Sequence, residues 1–191
     1  MARALPTPVR LAAAAVLAAA ALTTAGAAVA PDAEAAASFR TITNLNGGQN
    51  LASNLSGKAV TTKASTSTLQ HWELLFPGSA GSSEPGFGSA FQLKNRATQK
   101  CLEDVGNGAQ VIETTCKTNP GVDSPQLWQH HIAADRTVNG QSYFFLFNRG
   151  SDRVLSRAPQ FGNTVPVVSS PKATNDLSAA AALQQWLLKR V

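Results

Sequence analysis

One frame of residues is written three times along the chain. In its clearest copy, Leu93-x-Asn95 is followed seven residues after the Asn by Leu102, and the unit closes on Gln126-Leu127-Trp128. Upstream the frame reads Ile42-x-Asn44, Leu51 and Gln70-His71-Trp72; downstream it reads Leu146-x-Asn148, Leu155 and Gln184-Gln185-Trp186. The Asn-to-Leu step is seven in every copy, and all three tryptophans stand in Q-x-W. A unit that cannot bury its own apolar face needs its copies, so a fixed repeat constrains the fold more than any local propensity does. The copies occupy about residues 39–75, 91–131 and 143–191.

Within each copy the local pattern is short strands and tight turns. FRTITNL alternates as a half-buried strand, with Phe39 and Thr41 on one face and Arg40 and Ile42 on the other. Asn46-Gly47-Gly48, Ser56-Gly57, Gly106-Asn107-Gly108 and Phe161-Gly162-Asn163 read as turns, and Asn139-Gly140 is the strongest hairpin signal. Residues 111–115 are extended, and residues 143–147 (YFFLF) form an apolar strand expected to be buried on both faces. The four alanines before Gln184 predict a short helical turn capped by Asp176. Residues 77–88 are rich in Gly, Pro and Ser and read as an exposed loop between repeats.

The N-terminus reads as an export signal over residues 1–37. Arg3 and Arg10 precede the apolar run 11–22, and small-residue cleavage sites follow at Ala28-Val29-Ala30 and Ala33-Glu34-Ala35. The body, residues 38–191, is one domain of all-β class and keeps the net charge of +5. A secreted chain with two cysteines, Cys101 and Cys116, is expected to join them across the repeat-two turn.

Three in-phase copies of an [I/L]-x-N … Leu … Q-x-W unit, with Cys101-Leu102 and Cys116 in the second, resemble the ricin B-chain type lectin repeat. The resemblance implies a β-trefoil in which each repeat gives four strands about a pseudo-three-fold axis. It makes Gln70, Trp72, Gln126, Trp128, Gln184 and Trp186 core and framework. Sugar binding in that family falls to an acid after Cys-Leu, an aromatic before the second cysteine, and often an Asn before the Q-x-W glutamine. Here the acid position holds Ala52, Glu103 and Ser156, the aromatic position Lys63, Thr114 and Val167, and the last position Leu69, Pro125 and Leu183. The cysteine places in repeats one and three are assigned to Asn50 and Ser65, and to Val154 and Ser169.

The carbohydrate-binding candidates are therefore Glu103 and Asp104, whose side chains leave a strand in opposite directions, and Asn107 on the adjoining turn. The expected role is a secreted, non-catalytic module that recognises a polysaccharide or cell-wall glycan. The alternative is a protein-binding scaffold, such as an inhibitor of a secreted hydrolase, with the loop 77–88 as its probe. Repeat three carries Arg149, Arg153, Arg157, Lys172, Lys189 and Arg190 against Asp152 and Asp176, and could attract anionic polymers. Its cations are scattered without interleaved aromatics, so nucleic acid is not expected as a partner, nor is a membrane. His130 and His131 face opposite ways on a strand and cannot share a metal; no cofactor and no catalytic constellation are expected, and the chain is read as a monomer.

Overall fold

A computed structural model describes residues 38–76, 89–106 and 108–191, with residues 132–136 described by backbone alone. The export signal, the loop 77–88 and Asn107 lie outside the described residues. Each repeat supplies four strands. Repeat one gives β1 (Arg40–Asn44), β2 (Asn50–Ser53), β3 (Ala59–Thr62) and β4 (Trp72–Leu75). Repeat two gives β5 (Ala90–Asn95), β6 (Cys101–Glu103), β7 (Ile112–Thr114) and β8 (Trp128–Val138). Repeat three gives β9 (Gln141–Asn148), β10 (Val154–Arg157), β11 (Thr164–Ser170) and β12 (Gln185–Arg190).

Six of these strands close on themselves. β1 pairs β12, β12 pairs β9, β9 pairs β8, β8 pairs β5, β5 pairs β4, and β4 returns to β1, all antiparallel. Closure removes the exposed edges that short strands would otherwise offer. The hairpins β2–β3, β6–β7 and β10–β11 form the cap and lean on one another through β3–β11 and the bridges Lys58–Ile112 and Gln110–Val168. This is the β-trefoil.

The core is built from equivalent residues. Ile42, Leu93 and Leu146 form one set, Leu51, Leu102 and Leu155 another, Ala59, Val111 and Val167 a third, and the three tryptophans a fourth. An indole is buried cheaply only when its N–H is bonded. Nε1 of Trp72, Trp128 and Trp186 donates to the carbonyls of Leu51, Leu102 and Leu155 at 3.0, 3.1 and 2.9 Å. The seven-residue step from Asn to Leu thus places each leucine carbonyl over its own tryptophan.

The asparagines of the frame join one repeat to the next. Asn95 Nδ2 donates to Leu69 O at 2.8 Å, Asn148 Nδ2 to Pro125 O at 2.7 Å, and Asn44 Nδ2 to Leu183 O at 2.9 Å. The ring of three bonds closes from repeat three back to repeat one.

Two local features depart from the sequence reading or refine it. The turn Ala179–Ala182 is helical, but its cap is Ser178, whose Oγ accepts from Ala181 N at 3.0 Å. Asp176 instead pairs with Lys172, whose Nζ also lies over the Phe145 ring. In β9, Leu146 enters the main core while its neighbour Phe145 packs with Val154 and Ala181 on the opposite face, so burial on both faces is confined to the middle of YFFLF. Cys101 and Cys116 are bridged, with Cα atoms 4.8 Å apart.

Candidate functional site

Each Q-x-W glutamine ties the outer end of its hairpin to the strand that carries the tryptophan. Gln70 Nε2 donates to Thr62 Oγ1 and Lys63 O, and its Oε1 accepts from Ser65 N. Gln184 does the same with Ser170 Oγ, Pro171 O and Ala173 N. Gln126 reaches Thr114 Oγ1 at 2.6 Å and Thr115 O at 2.9 Å, and accepts from Lys117 N at 2.9 Å.

These bonds, with the strand registers, correct two assignments made from sequence. Thr114 pairs with Cys101, as Thr62 does with Asn50 and Ser170 with Val154. The counterparts of Thr114 are therefore Thr62 and Ser170, not Lys63 and Val167, and those of Cys116 are Ala64 and Lys172, not Ser65 and Ser169. Hairpin turns of unequal length separate the strands in the three repeats, and counting along the chain could not absorb that. The position expected to hold an aromatic is a hydroxyl residue in all three.

Glu103 is half-buried on the ledge above Gln126. Its Oε2 accepts from Thr114 Oγ1 at 2.7 Å and from Gln126 Nε2 at 2.9 Å, which fixes the carboxylate and leaves Oε1 outward as the acceptor on offer. Asp104 faces the other way, as strand alternation requires. It is 5% exposed, and its oxygens accept from Gly106 N and from Ser151 Oγ of repeat three. Asp104 is thus a brace between repeats. The same place in the other repeats also reaches across a seam: Ser53 bonds Glu113, and Arg157 Nε donates to Gln49 Oε1 at 3.1 Å.

A concavity opens at the equivalent place in repeat one. Ala52, the small counterpart of Glu103, leaves a hollow of about 320 Å³ lined by Thr62, Lys63, Ser67 and Gln70 among others, with Asn163 of repeat three in its wall. A second cleft of about 240 Å³ lies between Thr41, Ser65, His71, Lys189 and Arg190. His71 is buried and its pKa is lowered, first by burial and then by the Arg96 guanidinium, whose Nη1 lies 3.4 Å from Nδ1.

The repeat-three cations are less available than their number suggests. Arg157 is buried against Gln49, Arg153 donates to Ser169 O, Arg149 to Gln129 Oε1, and Lys172 pairs with Asp176. Lys189 and Arg190 are exposed and line the second cleft. Among the described residues no three metal-ligating side chains cluster, and no helix is long and apolar enough to cross a membrane.

Repeated Q-x-W units closing a trefoil define a lectin-like class of fold. The chain belongs to the ricin-type beta-trefoil lectin domain-like family, whose model matches residues 68–168, just over half of it. No curated protein matches it in sequence. Among solved structures it is similar to the designed three-fold symmetric protein ThreeFoil, at 19% identity and TM-score 0.58 over 80% of this chain and 99% of that one. It is also similar to the Macrolepiota procera ricin B-like lectin in complex with lactose (15%, TM-score 0.56, 81% and 96%) and to the Rhizoctonia solani agglutinin (18%, TM-score 0.58, 81% and 96%). The lectin-like family suggests a non-catalytic carbohydrate-binding module, and the disulfide is compatible with an extracellular protein.

Proposed function

We propose that the chain is a secreted carbohydrate-binding module of one domain, residues 38–191, that recognises a polysaccharide or cell-wall glycan with low affinity. The observation that carries this reading is the fixed carboxylate of Glu103 beside Thr114. A carboxylate whose one oxygen is already bonded to the frame offers the other, preoriented, to a sugar hydroxyl, and a bond to a charged acceptor is among the stronger neutral-ligand contacts. Asn107, read from the sequence as a turn residue, is the proposed second polar contact, and Asp104 contributes by holding the ledge in place. The hollow over Gln70 is a second location of the same kind, lined by hydroxyl and amide groups. Shallow polar sites bury little surface, so millimolar-range binding is the expectation.

The lactose complex of the Macrolepiota lectin favours a neutral sugar as the first probe. The test is calorimetric titration of the chain with the neutral sugars lactose, cellohexaose, xylohexaose and chitohexaose, and with a polyuronate, at low and high salt. Salt-resistant binding that is lost in Glu103→Ala supports the reading. Binding only to polyuronate, lost at high salt, would transfer the function to Lys189 and Arg190 as an anionic-polymer site. No binding to any of these would favour a protein-binding scaffold.

A further inference from the structure

The most exposed large apolar side chain among the described residues is Phe161, at 103% of its reference area. It sits at the tip of the repeat-three hairpin, between Gln160 and Gly162. Single exposed apolar residues are common and need no explanation. The surroundings of this one are less ordinary, because the tip does not hang free over its own repeat. It is fastened to repeat one. Gln49 Nε2 donates to Gly162 O at 2.8 Å, while Gln49 Oε1 accepts from Thr61 Oγ1 at 2.9 Å and Arg157 Nε at 3.1 Å. Beyond the tip, Thr164 and Val165 continue the sheet against Thr62 and Thr61.

That fastening carries Asn163 into the wall of the repeat-one hollow and leaves Phe161 two residues away, within about 7 Å along the backbone. The corresponding tips carry Leu55 and Val105, which are exposed but not aromatic. The hollow itself has hydroxyls, two amides and Lys63, but no aromatic in its lining. A polar hollow orients a sugar without supplying the flat apolar surface that most of a small ligand's buried area requires.

We propose that Phe161 is the aromatic platform of the repeat-one hollow, supplied across the seam by repeat three. The ligand is a pyranose that presents one face of C–H groups to the ring while its hydroxyls bond Thr62, Ser67 and Asn163, over the floor made by Gln70. An exposed side chain changes rotamer in picoseconds to nanoseconds, so the ring closes over a bound sugar without moving the hairpin. This inference rests on the carbohydrate-binding reading and assigns to it a residue and a stereochemical demand.

The test uses the whole chain and the same four sugars. In Phe161→Ala, affinity for the sugar that binds the parent falls about tenfold, as expected for loss of one aromatic contact. The melting temperature stays unchanged, since a fully exposed ring packs on nothing. Phe161→Trp keeps the affinity and adds an exposed indole whose emission shifts on titration, against three buried tryptophans that do not respond. Parent affinity in Phe161→Ala, or a silent indole while calorimetry records binding, overturns the inference and leaves the carbohydrate reading standing. Absence of sugar binding by the parent overturns both.

Discussion

In repeat one, Gln70 bonds a threonine hydroxyl, a backbone carbonyl and a backbone N–H, and beside it Ala52 leaves a hollow. In repeat two, Gln126 makes the same three bonds, and beside it Glu103 fills the ledge with a carboxylate. The bonding of the glutamine is common to the repeats while the surface above it is not. Residues that tie each hairpin to its tryptophan strand are therefore the ones that recur, while those that differ either brace a seam, as Asp104 does, or stand where a ligand could be discriminated. The same division runs through the core, where threefold sets of leucines and tryptophans contrast with single positions that one repeat has changed.

The largest effect belongs to the recurring frame. Trp72→Ala, Trp128→Ala and Trp186→Ala should each cost about 3–5 kcal/mol in denaturant unfolding, because each empties an equivalent fully buried site and orphans a leucine carbonyl. Unequal costs, with one tryptophan dispensable, would break the equivalence of the repeats.

Next is a position where repeat two departs from its partners. His130 stands where the others have Leu74 and Leu188, packed edge-on against Phe91 and tilted against Phe144 with centroids 4.9 and 4.5 Å away. Burial, then the charges of Arg40 and His131, lower its pKa from 6.5 to about 4. The unfolded chain takes this proton near pH 6.5 and the folded one only near 4. Stability is therefore full above about 6.5, falls on acidification by about 3 kcal/mol, and levels off below 4. His130→Phe should flatten that part of a pH–stability curve.

Gly150 sharpens the contrast at the seam between repeats two and three. Its counterparts are Asn46 and Ala97, yet a Cβ here would lie 2.6 Å from Asp123 O and 3.1 Å from Pro125 N. Gly150→Ala should cost about 1–3 kcal/mol in a thermal melt, whereas Ala97→Gly should cost less. The smallest effect is of opposite sign. Glu113, whose counterparts are Thr61 and Ser169, is a buried carboxylate whose pKa is raised by burial, against hydrogen bonds from Thr98 and Ser53. A raised carboxylate loses stability as pH rises above 4.5, so Glu113→Gln should stabilise the chain slightly at neutral pH and leave it unchanged in acid.

How much of this was legible in the sequence follows the same division. The frame was readable because repetition multiplies a weak motif: each Q-x-W alone says little, but three in phase carry the family resemblance that implied the trefoil and its buried indoles, while two cysteines in a chain read as secreted implied the bridge between Cys101 and Cys116. The candidate site was less readable. Alternation correctly sent Glu103 and Asp104 to opposite sides, but nothing local announced that Asp104 would be taken up by Ser151, a residue 47 positions away. Hairpins of unequal length hid the true partners of Thr114. Phe161 carried a signal that could have been used, since an aromatic beside Gly162 in a turn has no strand to pack against. Its meaning depended on Gln49, which only the fold brings to it.

The most direct measurement is a map of backbone amide chemical-shift changes in the labelled chain as the tightest-binding neutral sugar is titrated in. Shifts centred on Glu103, Thr114 and Gln126, or on Thr62, Gln70 and Asn163, with the repeat-three ledge at Ser156 and Ser170 silent, are expected if ligand recognition lives where the repeats differ. Equal shifts at all three glutamines, or shifts confined to His71, Lys189 and Arg190, would contradict it.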